Sequence, residues 1–527
     1  METLCAYRES VSPRPVERAG TGGAWGGANV ASPANATRRD PTQSSAPIDV
    51  PRWAYPALTV ASLLIGVTAL VRGTRALQTI ADSDLTNFFF KSADYILRGD
   101  PWHMYAVLVG GYPNYNPPLS IFLMAPLLAM ARALGFDTNP GAEITFVTLP
   151  FLLLIPALAF LVIRALRILY PGIPETQRLL AFVLVALGPL SWQTMATWYH
   201  IEQPLMLCLL IGSVLALQSR REGLAGVLAG LAVLTRTTAI VPLIALGVLL
   251  LLGREWRRLL KLGGIGALVA GIGFAPFFLF DRRDTLYSLV QWRGTAIIGS
   301  NSIWTLFAST PLDSLARRLD FYTVILFVVS VAFLAVRRFA LSAYSRDAWA
   351  VLALAALAVP MLSKTNWPYY YLEPFIFLLI WEFASMHDRR AGLWRWPVLA
   401  ISFLAVTATL SQYIYLRSVG AGDRILVGLL EFGAMAAFAV LVWLRMSAAK
   451  PQAAPYPPYP APGIASTPWT PPAGAAALPR PPAPSRPPDW LPGVIGGPLA
   501  PDYRPDQPPL PPLDTPPRNP DGWGQGR

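Results

Sequence analysis

"YPALTVASLLIGVTALV" (residues 55–71) decides the class of fold. It carries no charged residue, and with its flanks it approaches the roughly 20 residues that a helix needs to cross a bilayer. Arg38, Arg39 and Arg52 precede it, so the charge bias of membrane proteins predicts an N-terminal side in the cytoplasm and residues 73–118 outside. Further apolar runs fall near 119–134, 144–163, 179–197, 203–218, 224–252, 262–280, 321–336, 348–363, 368–384, 396–414 and 425–444. The run at 224–252 is interrupted by "TRTT" (235–238), which predicts either one broken helix or a short hairpin. Of the 527 residues 54% are hydrophobic and 14% charged, against about 25% charged in a soluble domain. The reading is an all-α polytopic membrane protein with about 12–13 transmembrane helices. Arg-bearing loops at 164–178, 219–222, 254–261, 337–347 and 387–395 all ask for the cytoplasmic side. They conflict with 73–118 outside if every run crosses once.

Composition also excludes function classes. The net charge of +12 comes from arginines clustered in short inter-helical segments, which argues against a nucleic-acid partner. Two distant cysteines, Cys5 and Cys208, offer neither a disulfide framework nor a metal site. The three histidines make no metalloprotease pattern, and there is no phosphate-binding Gly loop for a soluble nucleotide. No cofactor is expected. Residues 1–50 have no apolar period and read as a disordered cytoplasmic segment. Half of the 52 prolines lie after Lys450, so 448–527 reads as a disordered cytoplasmic tail, either solubilising or docking a Pro-reading protein. Residues 51–447 remain as the membrane domain.

Chemistry is expected just after the first apolar run, in "IADSDLTNFFFKSADYILRGDPWHMY" (80–105). Phe89, Ala93 and Ile96 share one side of a helix over 86–97, while Lys91, Asp94 and Arg98 fall mostly elsewhere. That pattern predicts an amphipathic helix lying on the outer membrane surface. Asp82 and Asp84 then sit where the first span emerges. Each is either a helix cap or a carboxylate able to take a proton from a hydroxyl. Downstream, "GYPNYNPPLSIFLMAPLL" (111–128) places a Pro-Pro pair at the start of the second apolar run. Trp102, Tyr105, Tyr112 and Tyr115 either stack on sugar rings or form the usual aromatic belt.

The order of these features, "ADYILRGDPW" and then "YNPPL" opening the second run, resembles the first external loop of polyprenyl-phosphate-sugar-dependent glycosyltransferases of the GT-C superfamily. It is most similar to the family-87 group that contains mannosyltransferases. The stretch beginning "HIEQPLMLCLL" at His200 resembles the same group's core, with Gln203 at its Gln position and Arg236 at its basic position. The resemblance spans roughly 55–445. It implies a GT-C-type bundle with interfacial helices in the first external loop, in the plasma membrane, with both tails cytoplasmic and the active site external. It implies transfer of a sugar, mannose by family prior, from a polyprenyl-phosphate donor to a lipid or glycan acceptor, inverting and metal-independent. Asp84, in preference to Asp82, would be the general base. Lys364, Arg236 and Arg293 are candidates to hold the donor phosphate, whose developing charge needs fixed cations. Lys364 in "SKTNWPYYYLEPF" has a snorkelling interfacial role as its alternative. His103, Tyr115, His200, Glu202, Gln203 and Tyr370 are expected on the substrate side, with capping as the alternative for His200 and Glu202. Against the enzyme stand a transporter or flippase of lipid-linked glycans, for which no second broken helix is visible, and an inactive envelope scaffold.

Overall fold

The computed structural model describes residues 49–77, 84–109, 112–296, 298–299, 302–386, 396–416 and 421–448. Asp82 and almost all of the N-terminal segment and Pro-rich tail read from the sequence lie outside the described residues. Helices joined by turns and short loops make up the described residues, with one two-residue antiparallel pair, β1 (Leu108–Val109) and β2 (Tyr112–Pro113). Its helices are α1 (Ala54–Leu77), α2 (Lys91–Leu97), α3 (Pro118–Ala133), α4 (Pro140–Thr148), α5 (Leu154–Leu169), α6 (Glu175–Ala186), α7 (Pro189–Trp192), α8 (Glu202–Gln218) and α9 (Glu222–Thr235). There follow α10 (Ile240–Leu252), α11 (Trp256–Phe280), α12 (Arg282–Leu286), α13 (Trp292–Thr295), α14 (Asp313–Phe339), α15 (Ala348–Leu362), α16 (Leu372–Ser385), α17 (Val398–Leu416) and α18 (Ala421–Ala448).

Among the described residues, six segments are long and apolar enough to cross a membrane: Ala54–Thr74, Pro140–Leu169, Glu175–Thr197, Trp256–Phe280, Asp313–Phe339 and Asp423–Ala448. The other apolar runs form shorter helices. Several of them stop at a polar break where the backbone is enclosed by protein, as at Arg236 and Lys364. Irregular backbone is tolerated at membrane depth only under such cover. Helices α15 and α16 are buried almost along their whole length and form the centre of the larger apolar core.

The arginine conflict is resolved by where the helix ends meet. At one end, Tyr55 donates to Glu175 (2.6 Å), Arg167 approaches Glu175, Arg258 pairs with Glu222 (3.4 Å), and Arg220 and Arg258 lie over the Tyr344 ring. Trp381 donates to Asp347, and Arg445 pairs with Glu382, at the same end. At the other end Thr145 bonds Thr74, His200 faces Asp84, Arg236 bonds Glu202, and Asn366 bonds Glu431. Helix α3 does not run between these two ends. Its start meets Tyr105 and Phe277, and its end is tied through Arg132 to Asp94 and Glu143, all in the second group. With α3 removed from the crossings, 164–178, 219–222, 254–261 and 337–347 come together at one end. Residues 387–395 lie outside the described residues.

The "TRTT" break is a hairpin, not a kinked single span. Arg236 adopts an extended backbone that ends α9, and α10 returns to a short turn before α11. Helices α9 and α11 run parallel in close contact, Gly226 against Ile265 and Gly230 against Gly266. A methyl group on Gly230 would approach the Gly266 carbonyl to 2.7 Å, whereas one on Gly263 would meet nothing within 4 Å. Small residues let membrane helices approach this closely. Gly230→Val is therefore expected to cost about 1–3 kcal/mol, seen as an earlier thermal unfolding midpoint in detergent. Gly263→Ala should leave the midpoint unchanged.

The segment after α1 differs from the surface helix expected of it. A π-helical turn, Leu85–Phe90, leads into α2, and Leu85, Phe88, Phe89, Phe90, Ser92 and Ala93 are all buried. The three Phe side chains enter a second apolar core with Leu70, Met124, Met195 and Phe277. Ser92 donates to the Met104 carbonyl and accepts from Asn114, fixing the loop from beneath. The π turn presents three successive Phe to the protein, which regular helical spacing would not do.

Candidate functional site

The site is built where α1's far end, the 198–203 turn, the α9–α10 break and the segment after α15 meet. Asp84 opens the π turn with helical backbone angles (φ −56°, ψ −32°), and its side chain makes no capping bond. The capping alternative therefore fails for Asp84. Its carboxylate instead faces His200, with Nε2 3.5 Å from Oδ2, and keeps 42% of its side chain accessible. Asp82 lies outside the described residues.

His200 reaches that position through strained backbone. The preceding Tyr199 takes a positive φ of 55°, a conformation unfavourable for a side chain of that size. His200 Nδ1 meets Glu202 Oε1 at 2.5 Å, and the same oxygen accepts from Arg236 Nη1. His200, Glu202 and Arg236 are 4%, 0% and 7% exposed, so three ionisable groups are enclosed behind one accessible carboxylate. The Arg236 guanidinium lies 4.9 Å from the Tyr369 ring and 5.1 Å from that of Tyr370. Cation–π contact of this kind supports a desolvated guanidinium. The His200 and Tyr369 ring centroids are 3.6 Å apart. Burial opposes charge on His200, but the Glu202 carboxylate, with Asp84 behind it, outweighs that, and the histidine titrates above its usual range.

Below this chain lies unsatisfied polarity. Among the described residues, no hydrogen-bond partner meets either amide atom of Gln203, Glu202 Oε2, Arg236 Nε or Glu373 Oε1. Gln203 and Glu373 approach each other without a well-formed hydrogen bond. Buried polar atoms left unpaired cost about 1–3 kcal/mol each, so a cluster of them marks a place for water or ligand hydroxyls. Tyr115 stands within electrostatic reach of Asp84, Arg236, Glu202 and Tyr370, with its ring packed on Phe88. Alongside, Trp367 stacks on Tyr369 and Trp198 meets both rings at a tilt.

The other residues expected at the site are placed as follows. Lys364 is 2% exposed; its Nζ donates to the Arg317 carbonyl and its backbone N–H to Asp320. It is enclosed by protein and does not snorkel to the surface. Arg293 lies on α13, and its side chain is outside the described residues. His103 bonds Asp100 at 2.6 Å, which raises its pKa, and faces Asp281 and Asp284. Asp84, Tyr115, His200, Glu202, Gln203, Arg236 and Tyr370 are thus brought together; Lys364 and His103 are anchored by neighbours of their own. Two residues of the cluster escaped the sequence reading. Glu373 carried a signal, a lone carboxylate within an apolar run. Tyr369 carried none, being one of three consecutive tyrosines.

The model of glycosyltransferase family 87 matches residues 114–363. That is the family the sequence motifs resemble, and it indicates a membrane glycosyltransferase. The matched region holds Tyr115, His200, Glu202, Gln203, Arg236 and Arg293 and ends one residue before Lys364. Asp84 and His103 lie ahead of it. No curated protein matches the sequence.

Proposed function

We propose that the family-87 protein transfers a sugar from a polyprenyl-phosphate donor to a lipid or glycan acceptor at the outer face of the membrane, with Asp84 as general base. The observation that carries this is the accessible Asp84 carboxylate, at the end of the first span, standing on the enclosed His200–Glu202–Arg236 chain. Asp84 takes the proton of an acceptor hydroxyl as its oxygen attacks the anomeric carbon. The bond to the donor phosphate breaks with its electron pair on the phosphate oxygen, so the anomeric centre inverts. Asp82, two residues earlier, has a supporting part. The arginine-rich end is the cytoplasmic one by the charge bias, which puts Asp84 outside and both tails inside the plasma membrane.

Lys364, Arg236 and Arg293 are the cations proposed for the donor phosphate. Arg236 has Nη1 committed to Glu202, and its Nε meets no hydrogen-bond partner among the described residues. His103, Tyr115, Gln203 and Tyr370 are proposed to contact sugar and acceptor, with mannose as the sugar. The test is donor choice by purified protein in lipid nanodiscs. Polyprenyl-phosphate-mannose should be consumed and a nucleotide-linked sugar left untouched; the reverse preference overturns the reading. Loss of a charge-assisted contact costs about 1.5–3 kcal/mol, so Lys364→Ala should lower donor use roughly ten- to a hundred-fold. Unchanged kinetics in both Lys364→Ala and Arg236→Ala would remove these cations from the site.

A further inference from the structure

We propose that His200 is a positioning residue that stays an imidazolium through the reaction, bridging Asp84 and Glu202 so that one oxygen of Asp84 is held and the other is presented to the acceptor. The inference rests on Asp84 being the base of the proposed reaction. Its ground is a count of donors. Nε2 of His200 faces Asp84 Oδ2 at 3.5 Å and Nδ1 faces Glu202 Oε1 at 2.5 Å. A neutral imidazole has one donor and one acceptor nitrogen, so one carboxylate would then face a lone pair. Only the doubly protonated ring presents an N–H to both carboxylates, to Glu202 as a hydrogen bond and to Asp84 as a longer ion-pair contact.

The surroundings agree. The groups facing His200 are Asp84 from the start of the π turn, Glu202 from α8, Arg236 from the α9–α10 break and Tyr369 from the segment after α15. With Arg236 and His200 positive and Glu202 and Asp84 negative, charge alternates along the chain and sums to zero. A neutral His200 would leave a net negative site beside the carboxylate that must collect a proton. His200 is 4% exposed, so it has little surface to offer a substrate, unlike Asp84.

The consequence for the reaction is a division of labour. Asp84 Oδ2 is fixed against His200, and Oδ1 is the oxygen that receives the acceptor proton. The imidazolium has no free lone pair and cannot take that proton onward. Asp84 must return it to solvent through its own accessible side. Activity should therefore have an alkaline limit set by loss of the His200 proton, because the ring then ceases to hold Oδ2.

The direct test is nitrogen NMR of the full chain labelled with [15N]histidine. The chain has three histidines, and the His200 signal is assigned by its absence from His200→Asn. At pH 7.5, where a free imidazole with a pKa of about 6.5 is neutral, both ring nitrogens of His200 should carry protons. Asp84→Asn should move its titration to lower pH. In transfer assays His200→Asn should lose ten-fold or more in kcat with KM for donor and acceptor unchanged, and lose the alkaline limit. A His200 ring with a single proton at pH 7.5 overturns the inference, as does a His200→Asn defect confined to KM. If Asp84→Asn transfers sugar normally, the reading of Asp84 as base fails. If Asp84→Asn is inactive while His200 is neutral, only the positioning role fails.

Discussion

Asp84→Asn is expected to lower sugar transfer by about 10²–10⁴, the contribution of a positioned general base. The substitution keeps size and hydrogen bonding but removes the ability to take the acceptor proton. It leaves the fold intact because Asp84 makes no capping bond and its side chain is 42% accessible. Donor binding, measured by retention of a labelled polyprenyl-phosphate sugar, should therefore survive. If Asp82→Asn is the inactive variant and Asp84→Asn is active, the base shifts by two residues and the chemistry stands. Normal transfer by both variants would reduce the two carboxylates to structural groups.

The second large effect is on stability. Glu202 has no exposed surface and accepts from both His200 and Arg236. Glu202→Leu would strand a buried guanidinium among Tyr369, Tyr370 and an unanswered imidazole. Removing one partner of a buried ion pair costs about 3–5 kcal/mol, more than the intact pair contributes over an apolar substitute. The expected result is a large fall in the unfolding midpoint in detergent. Leu replacement of the exposed Arg98, in the same assay, should shift stability by no more than about 0.5 kcal/mol. A Glu202→Leu protein as stable as wild type would mean that Arg236 finds another partner and that the chain of charges is not rigid.

Much of this architecture was legible because lipid imposes simple rules. Apolar runs gave the helices, and arginine loops gave one end of the bundle. What escaped was the behaviour of α3. Pro118–Ala133 is as apolar as a true span, and only tertiary contacts, Tyr105 and Phe277 at its start and Asp94 and Glu143 bound to Arg132 at its end, show that it starts and ends on one side. Regular helical spacing over 86–97 puts Phe89, Ala93 and Ile96 on one side, as in a surface helix, whereas the π turn buries Phe88, Phe89 and Phe90 together against protein. At the site, His200, Glu202 and Arg236 stood out as ionisable residues beside apolar runs. That they are chained together, and that the last of them lies over Tyr369 and Tyr370, depends on four segments far apart in sequence. Glu373 could have been found by asking which carboxylates interrupt apolar runs; the same question also finds Glu382 and Glu431, which are committed to Arg445 and to Tyr371 with Asn366.

The most direct measurement places purified protein in liposomes with polyprenyl-phosphate-mannose and a lipid acceptor, and follows the label and the released polyprenyl phosphate together. Mannose should become covalently attached to the acceptor, with one polyprenyl phosphate freed per sugar transferred, and Asp84→Asn should abolish both. Movement of the intact donor across the bilayer with no new glycosidic bond would contradict the account and make the protein a carrier.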